Sequence, residues 1–413
     1  MKVFKFGGAS LKDANGIKNV GSIISAHSSD KLLVVVSAMG KTTNMLERIL
    51  ILSSTQQDYR FALDELKKYH HDIIDTLFQK STSVLREVDN HFEDLERALV
   101  TQSLSDQAYD QVVSKGELIS SVIVFHYLIS QKVKALWYDS RDAICTDNNF
   151  REGKVDWANT TSAMAALRPI LSDKIVITQG FIGKSPDGLT TTLGREGSDF
   201  SAAIFGSCLN AKAVVIWKDV PGVMNADPKR IPTATVFSEL PFKEAAEMTY
   251  YGASVIHPKT IKPLANKGIP LYVKNFTDPS LPGTKIHECT VEHLPPLVIF
   301  KENQCLVSCK VTDYTFISEH QLTMIFHAIS ALDIRLNMMQ NSAISFSFCI
   351  DFRENKLSKL IEKLQEHFEV FYNTGLTLIT VKNYDSTSFE TYRKMKGILL
   401  EQSSRSTLQV LVK

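Results

Sequence analysis

The sequence predicts an α/β protein, a mainly parallel sheet between helices, followed by an α+β region on an antiparallel sheet. Three observations predict it. Apolar, β-branched runs recur with helical stretches between them, the pattern of strands buried on both faces. A proline-marked break, HLPPLVIF at 293–300, ends that pattern. Beyond it the order becomes β-α-β-β-α-β, which places helices on one face of an antiparallel sheet.

In chain order, VFKF reads as the first strand and KLLVVVSAMG (31–40) as the second. From about Asn44 to Gln111 the pattern changes to long, charged amphipathic helices, a helical subdomain placed at about 44–113. His70 and His71 fall there and are expected on a solvated helix face, since no second ligand follows at i+4. Strands resume at KVKALWYDS (132–140), KIVITQGFIG (174–183), AKAVVIWKDV (211–220) and IPLYVKNF (269–276). Most of these runs end in Gly, Ser, Thr or Asp, and open α/β sheets bind ligands beyond the carboxyl ends of their strands. After the break, CLVSCKV, RLNMMQ, ISFSFCID and LTLITVKN read as strands, with SEHQLTMIFHAISAL and KLSKLIEKLQEHF as helices. A helix, SFETYRKMKGI, and two strands, LLEQS and STLQVLVK, look like part of a second such unit.

Composition narrows the function. With 413 residues, 44% hydrophobic and 22% charged, the chain has material for two or three domains. A net charge of +1 supplies no global pull toward nucleic acid or membrane, so small-molecule chemistry is expected. The apolar run LISSVIVFHYLIS (118–130) is short and polar for a membrane span, and MKVFKFGG passes straight into strand-like sequence. A cytosolic location is the expectation. Six cysteines occur with no C-x-x-C pair and no histidine at zinc spacing, which argues against a disulfide framework or structural zinc. Cys305 and Cys309 share strand parity and are expected to pack in a core.

Lys5 lies inside an apolar run, so its ammonium needs an anionic partner. The chain has neither G-x-x-x-x-G-K-[ST] nor G-x-G-x-x-G, yet a strand followed by Gly7, Gly8 and Ser10 can present backbone N–H groups to phosphate, with Lys5 as the point charge. The alternative is an edge-strand lysine beside a tight turn. In GLTTTLGREGSDFSAAIFG (188–206), Gly194 and Gly197 flank Arg195, and Ser198-Asp199 precede a helix. Arg195 suits carboxylate binding, or is a surface charge; Asp199 is a site carboxylate, or a helix cap. Ser37 and Thr43 follow a buried strand, and Glu117 is expected to open a helix, where a carboxylate is a usual dipole partner. Lys218 and Asp219 end a strand ahead of a Pro-Gly turn, with Asp227 and Lys229 beyond. His257-Pro258 precedes Lys259 and can simply start a helix.

Taken in order, KFGG, VVVSA…TTN, GE, TLGREGSD, W-x-DVPG…DP and YGASVIHPKT closely resemble the aspartate kinases (aspartokinases) of the amino-acid-kinase superfamily, over essentially the whole chain. The resemblance implies an amino-acid-kinase domain over 1–294, a first ACT domain (ferredoxin-like) over 298–381 and a truncated second ACT unit over 382–413. It implies that Lys5 binds phosphate with Gly7, Gly8 and Ser10 as its loop, and that Asp199 organises Lys5, facing it when the site is empty. The aspartate site would use Ser37, Thr43, Glu117 for the ammonium and Arg195 for a carboxylate, with Gly197 and Ser198 adjoining. Nucleotide contacts would come from Lys218, Asp219 and the segment through Asp227 and Lys229. Three positions depart from the family: Glu196 stands where many members have glycine, Met224 where a tyrosine lies near the adenine, and Ser254 where a lysine is common, which makes Lys259 the substitute candidate.

The implied reaction is transfer from ATP, with Mg²⁺, to the side-chain carboxylate of L-aspartate, giving 4-phospho-L-aspartate and ADP, the first step toward lysine, threonine and methionine. A homodimer or larger homo-oligomer and an amino-acid effector at the ACT region are also implied. Ser318 to Gln321 replace the family's glycine-containing loop and Asn337 replaces a frequent aspartate, so altered or absent lysine inhibition is expected. A catalytically silent amino-acid sensor and a kinase for another acidic amino acid are the alternatives.

Overall fold

The structure, a computed structural model, describes residues 1–79, 82–100, 104–253, 255–312 and 315–413. These form two compact units, one of Met1–Val223, Val236–Thr249 and Ser254–Val291, the other of Met224–Thr235, Tyr250–Ala253 and Glu292–Lys413. Two short stretches ahead of the proline break therefore pack with the C-terminal unit.

The first unit is built on strands β1 (Lys2–Phe6), β2 (Leu32–Val36), β3 (Ala135–Tyr138), β4 (Ile175–Gln179), a hairpin of β5 (Ile182–Lys184) and β6 (Thr190–Thr192), then β7 (Ala213–Lys218), β8 (Glu239–Pro241), β9 (Leu271–Asn275) and β10 (Thr284–His287). All but the hairpin join one sheet in the order β3-β4-β2-β1-β7-β9-β10-β8, antiparallel only between β9 and β10. Every residue of β2 and β4 is buried, as continuous apolar runs in a covered parallel sheet must be. β1 lies between β2 and β7, with Lys5 opposite Val35 on one side and Ile216 on the other. Phe4 and Phe6 project into the main core, where Phe6 stacks on Trp217 at 5.9 Å between ring centres.

Helices α1 (Ala14–Ser25), α2 (Thr42–Ser54), α3 (Arg60–Phe78), α4 (Thr82–Val100) and α5 (Asp106–Ser130) pack through Leu46, Leu66, Phe92 and Ile119 into that same core. α6 (Trp157–Met164), α7 (Leu167–Ile170), α8 (Gly197–Cys208), α9 (Phe242–Tyr251) and α10 (Pro258–Ala265) follow. By length and composition alone α5 could cross a membrane, because the apolar run expected at 118–130 is the second half of a 25-residue helix; 78% of its apolar window is buried inside the protein, so it is a core helix.

Two expectations for this region are corrected. His70 is fully buried, not solvated, because α3 is covered on more than one side: the ring meets Phe92 edge-on, Nδ1 contacts the Leu66 carbonyl oxygen at 2.8 Å and Nε2 lies 3.4 Å from Thr42 Oγ1. His71 is half-exposed and pairs with Asp89 at 2.8 Å. Glu117 does not open a helix but sits in the middle of α5, since Gly116 gives a close approach to Ala38 and Thr42 instead of breaking the helix.

The second unit holds β11 (Leu297–Lys310), α11 (Glu319–Ala331), β12 (Leu336–Asn341), β13 (Ser345–Asp351), α12 (Glu354–Gln365), β14 (Glu369–Lys382), α13 (Ser386–Arg393), β15 (Ile398–Ser403) and β16 (Thr407–Val412). The six strands form one antiparallel sheet, β12-β13-β11-β14-β16-β15, so the last two strands extend the sheet of the first four. Cys305, Val307 and Cys309 share a fully buried cluster with α11 and α12, while Leu306 joins a cluster on the other face. All six cysteines are free. Asn337 is held in a polar knot, receiving Lys301 Nζ at 2.8 Å and donating to Gln304 at 2.6 Å and Asp351 at 2.9 Å.

Burial lowers the His70 imidazole to about 4, from an ordinary 6.5. The unfolded chain then binds more protons between those values, so this stability contribution is complete above pH 6.5 and lost as pH falls toward 4. Urea unfolding of the wild type should lose about 2 kcal/mol more between pH 7 and pH 5 than unfolding of His70→Gln. Equal losses would show that His70 is not held neutral.

Candidate active site

Beyond the carboxyl ends of β1, β2 and β7, a cavity of about 560 Å³ is lined by Lys5, Gly8, Ser37, Thr43, Glu117, Arg195, Gly197, Ser198, Asp199 and Lys218 among others. They arrive from several elements of the first unit. β1 supplies Lys5, and the turn after it runs against the turn after β2: Gly8 accepts at its carbonyl from Gly40 N–H at 3.0 Å. A Cβ on Gly8 would stand 2.7 Å from the Ala38 carbonyl oxygen, so only glycine fits there. Gly7 lies under the Lys5 ammonium, and the Ser10 hydroxyl donates to the Gly7 carbonyl at 2.7 Å, which tightens the loop.

Asp199 occupies the first turn of α8 and is almost wholly buried. Lys5 Nζ lies 2.6 Å from its Oδ1 and Lys218 Nζ 3.1 Å from its Oδ2, so two lysines from adjacent strands converge on one carboxylate. Lys218 also donates to the Val255 carbonyl. Burial alone would raise the Asp199 carboxyl, but the two ammonium groups outweigh it and hold the group below its ordinary range. Gly197 is required at the start of α8 because a Cβ would come within 2.6 Å of the Phe181 ring. Glu196, with φ of +54° in the left-handed region, reaches the same cavity; burial, against the pull of Lys218, raises its carboxyl, and its Oε2 is buried without a hydrogen-bond partner.

α5 carries the opposite wall. Glu117 Oε1 accepts from the Ala38 N–H at 3.2 Å, Oε2 is buried without a hydrogen-bond partner, and burial pushes the carboxyl up to about 8. Ser120 donates to the Ser37 carbonyl at 2.7 Å, clamping the turn after β2. About two turns before Glu117, buried Asp110 accepts from Thr192 N–H at 2.8 Å, Thr192 Oγ1 at 2.7 Å and Arg151 N–H at 2.9 Å. Arg151, itself left-handed with φ of +63°, lays its guanidinium 3.9 Å over the Tyr109 ring at the cavity wall. Asp110, Tyr109, Arg151, Glu152, Phe181 and Thr192 escaped sequence reasoning; no local motif links an aspartate on a helix to a hairpin strand 82 residues later.

The remaining predicted residues lie elsewhere. Asp219 is exposed just past β7. Lys259 lines a different cavity with Trp157 and Phe200, and His257 caps α10 by accepting from Lys259 N–H at 3.2 Å. Met224, Asp227 and Lys229 belong to the second unit, and Ser254 lies outside the described residues.

The cavity thus joins four cationic side chains, a deeply buried carboxylate and two unpartnered carboxyl oxygens, those of Glu117 and Glu196, a set suited to a polyanion together with an amine. The profile of the amino acid kinase family matches residues 1–275. The chain belongs to the amino acid kinase family. Within it, the chain is 33% identical over 358 residues to the lysine-sensitive aspartokinase 3 of Escherichia coli, covering 84% of this chain and 78% of that protein. It is 29% identical to a chloroplastic bifunctional aspartokinase/homoserine dehydrogenase of Arabidopsis thaliana, of which it spans only 42%. The solved structure of E. coli aspartokinase III in complex with aspartate and ADP superposes with a TM-score of 0.86 at 29% identity, covering 100% of this chain and 96% of that one. The same enzyme in complex with lysine and aspartate gives 0.83 at 28% identity, with the same coverage.

A carboxyl raised from 4.5 to about 8 stays protonated in the folded protein where the unfolded chain has ionised, so Glu117 costs stability increasingly as pH rises between those values. Glu117→Gln should therefore be more stable than wild type in urea at pH 8, by several kcal/mol at most, and the difference should vanish near pH 4. A pH-independent difference would mean that the Glu117 carboxyl is not raised.

Proposed function

We infer that this chain is an aspartate kinase, transferring the terminal phosphoryl group of ATP to the side-chain carboxylate of L-aspartate and releasing ADP and 4-phospho-L-aspartate. The observation that carries the reading is the Lys5–Asp199–Lys218 cluster facing Glu117 across one cavity, in a chain that resembles aspartokinases over most of its length. This product begins the synthesis of lysine, threonine and methionine.

The attacking carboxylate is ionised at neutral pH, so no general base is required. Catalysis then reduces to position and charge. Lys5 swings its ammonium from Asp199 to the transferring phosphoryl oxygens, and Lys218 retains the aspartate's charge balance. Glu117 receives the substrate ammonium, Arg195 a carboxylate, and Ser37, Thr43 and Ser198 complete the amino-acid pocket. Gly7, Gly8 and Ser10 shape the phosphate loop, and Asp219, Met224, Asp227, Lys229 and Lys259 are the proposed nucleotide contacts. The carboxylates of Asp199 and Glu196, the latter with an unpartnered buried oxygen, suit a divalent cation beside phosphates. Mg²⁺ held by these carboxylates would supply charge neutralisation to the phosphates.

A homodimer or larger homo-oligomer is proposed through the second unit, supported by exposed Phe316, Phe371 and Tyr372. Altered or absent lysine inhibition is proposed as well: Asn337 lacks the negative charge that an α-ammonium needs, and its amide is already engaged by Lys301, Gln304 and Asp351.

Hydroxamate trapping with MgATP should give acyl hydroxamate with L-aspartate and not with L-glutamate. Product with glutamate alone would move the assignment to another acidic amino acid; none with either, despite amino-acid binding, would make the chain a sensor. Lys5→Met should lower kcat at least about 100-fold with a modest change in aspartate affinity, and wild-type turnover would refute its role. Because Glu117 is raised to about 8, aspartate binding at pH 7 should release close to one proton, read by calorimetry in buffers of different ionisation enthalpy and lost in Glu117→Gln.

A further inference from the structure

We propose that Glu239, His287 and Cys289 form a site for a zinc-class divalent cation at the edge of the eight-stranded sheet. None of the three lines the active-site cavity. Their ligand atoms, a carboxylate oxygen, an imidazole nitrogen and a thiol sulfur, lie within 4.8 Å of one another, the one such group among the described residues. Donors sharing one tetrahedral zinc at about 2.0–2.3 Å stand roughly 3.3–3.8 Å apart, so small side-chain rotations close the set.

The fold brings the three together by register. β10 runs parallel to β8, the last strand of the sheet, with Lys285 opposite Glu239. His287 follows Lys285 at strand spacing and so returns to the side on which Glu239 stands, and Cys289, past the end of β10, reaches the same group. His287 Nε2 already lies 2.7 Å from Glu239 Oε2, an arrangement in which a proton occupies the place that a cation takes between two ligands.

The donor set selects the metal. Thiolate and imidazole favour zinc or its late first-row neighbours over magnesium and calcium, which require oxygen shells. Glu239 is exposed and the other two are half-buried, leaving a fourth position open to water. Occupancy would tie the edge strand β8 to β10, whose Thr284 hydroxyl receives the Val223 N–H at 2.8 Å and donates to the Phe237 carbonyl at 2.6 Å. The cation therefore acts as a staple on this edge.

The untagged chain, stripped with chelator and titrated with Zn²⁺ by calorimetry, should take up one equivalent and melt at a higher temperature when loaded. Cys289→Ser and His287→Ala should each weaken uptake by about tenfold or more, whereas Cys145→Ser, which removes the other half-exposed thiol, should leave it intact. Co²⁺ at one equivalent should give a thiolate charge-transfer band that Cys289→Ser abolishes. Absence of stoichiometric uptake, uptake unchanged in the Cys289→Ser/His287→Ala double variant, or no such band in the wild type would overturn the site, and the last measurement decides it even if the variants fail to fold.

Discussion

Asp199, held between Lys5 and Lys218, is the interaction on which the rest of the first unit depends. Three charges lie where water scarcely reaches, and each alone would carry a heavy desolvation cost. Together they are tolerated because β1 and β7 are neighbours in register, so that two lysines end on the same side, and because α8 begins there and lends the positive end of its dipole to the carboxylate. Strand order, Gly197 at the start of α8 and the direction of the helix all serve one carboxylate.

α5 plays the complementary part. Most of its surface is apolar and buried, and this is what fixes it rigidly behind the sheet. The few polar side chains it carries inward are therefore placed without freedom: Asp110 pins the hairpin strand and the Arg151 loop, Ser120 pins the turn after β2, and Glu117 is left with an open oxygen. A core helix with an unsatisfied acid in its middle is poor economy for stability, and such local cost is characteristic of binding sites.

The strands were readable because parallel strands buried on both faces must be continuous in β-branched residues, and the loops because glycine, serine and charge are concentrated there. Family likeness alone pairs Lys5 with Asp199. What escaped reading depends on three-dimensional neighbours. His70 looks like a polar residue on a charged helix until α2 and α4 cover it. Glu117 follows a glycine, which locally suggests a helix start, although that glycine serves contact between α5 and the turn after β2. Asp110 and Arg151 meet across a long sequence gap with no motif to mark them. The two C-terminal strands, short and following a helix without buried residues, gave no sign that they would complete the sheet begun by β11.

The central place of β1 has a consequence for biosynthesis. Its neighbour β2 ends at Val36, but its other neighbour, β7, begins only at Ala213. At roughly 5–20 residues per second, a ribosome needs on the order of 10–35 seconds to make the intervening chain. Throughout that interval the most apolar strands of the nascent protein have an open edge, and the lysine on β1 has no carboxylate to meet until α8 emerges. The Lys5–Asp199–Lys218 cluster can therefore form only after β7 is made, and until then the nascent chain's apolar edge is open to chaperones.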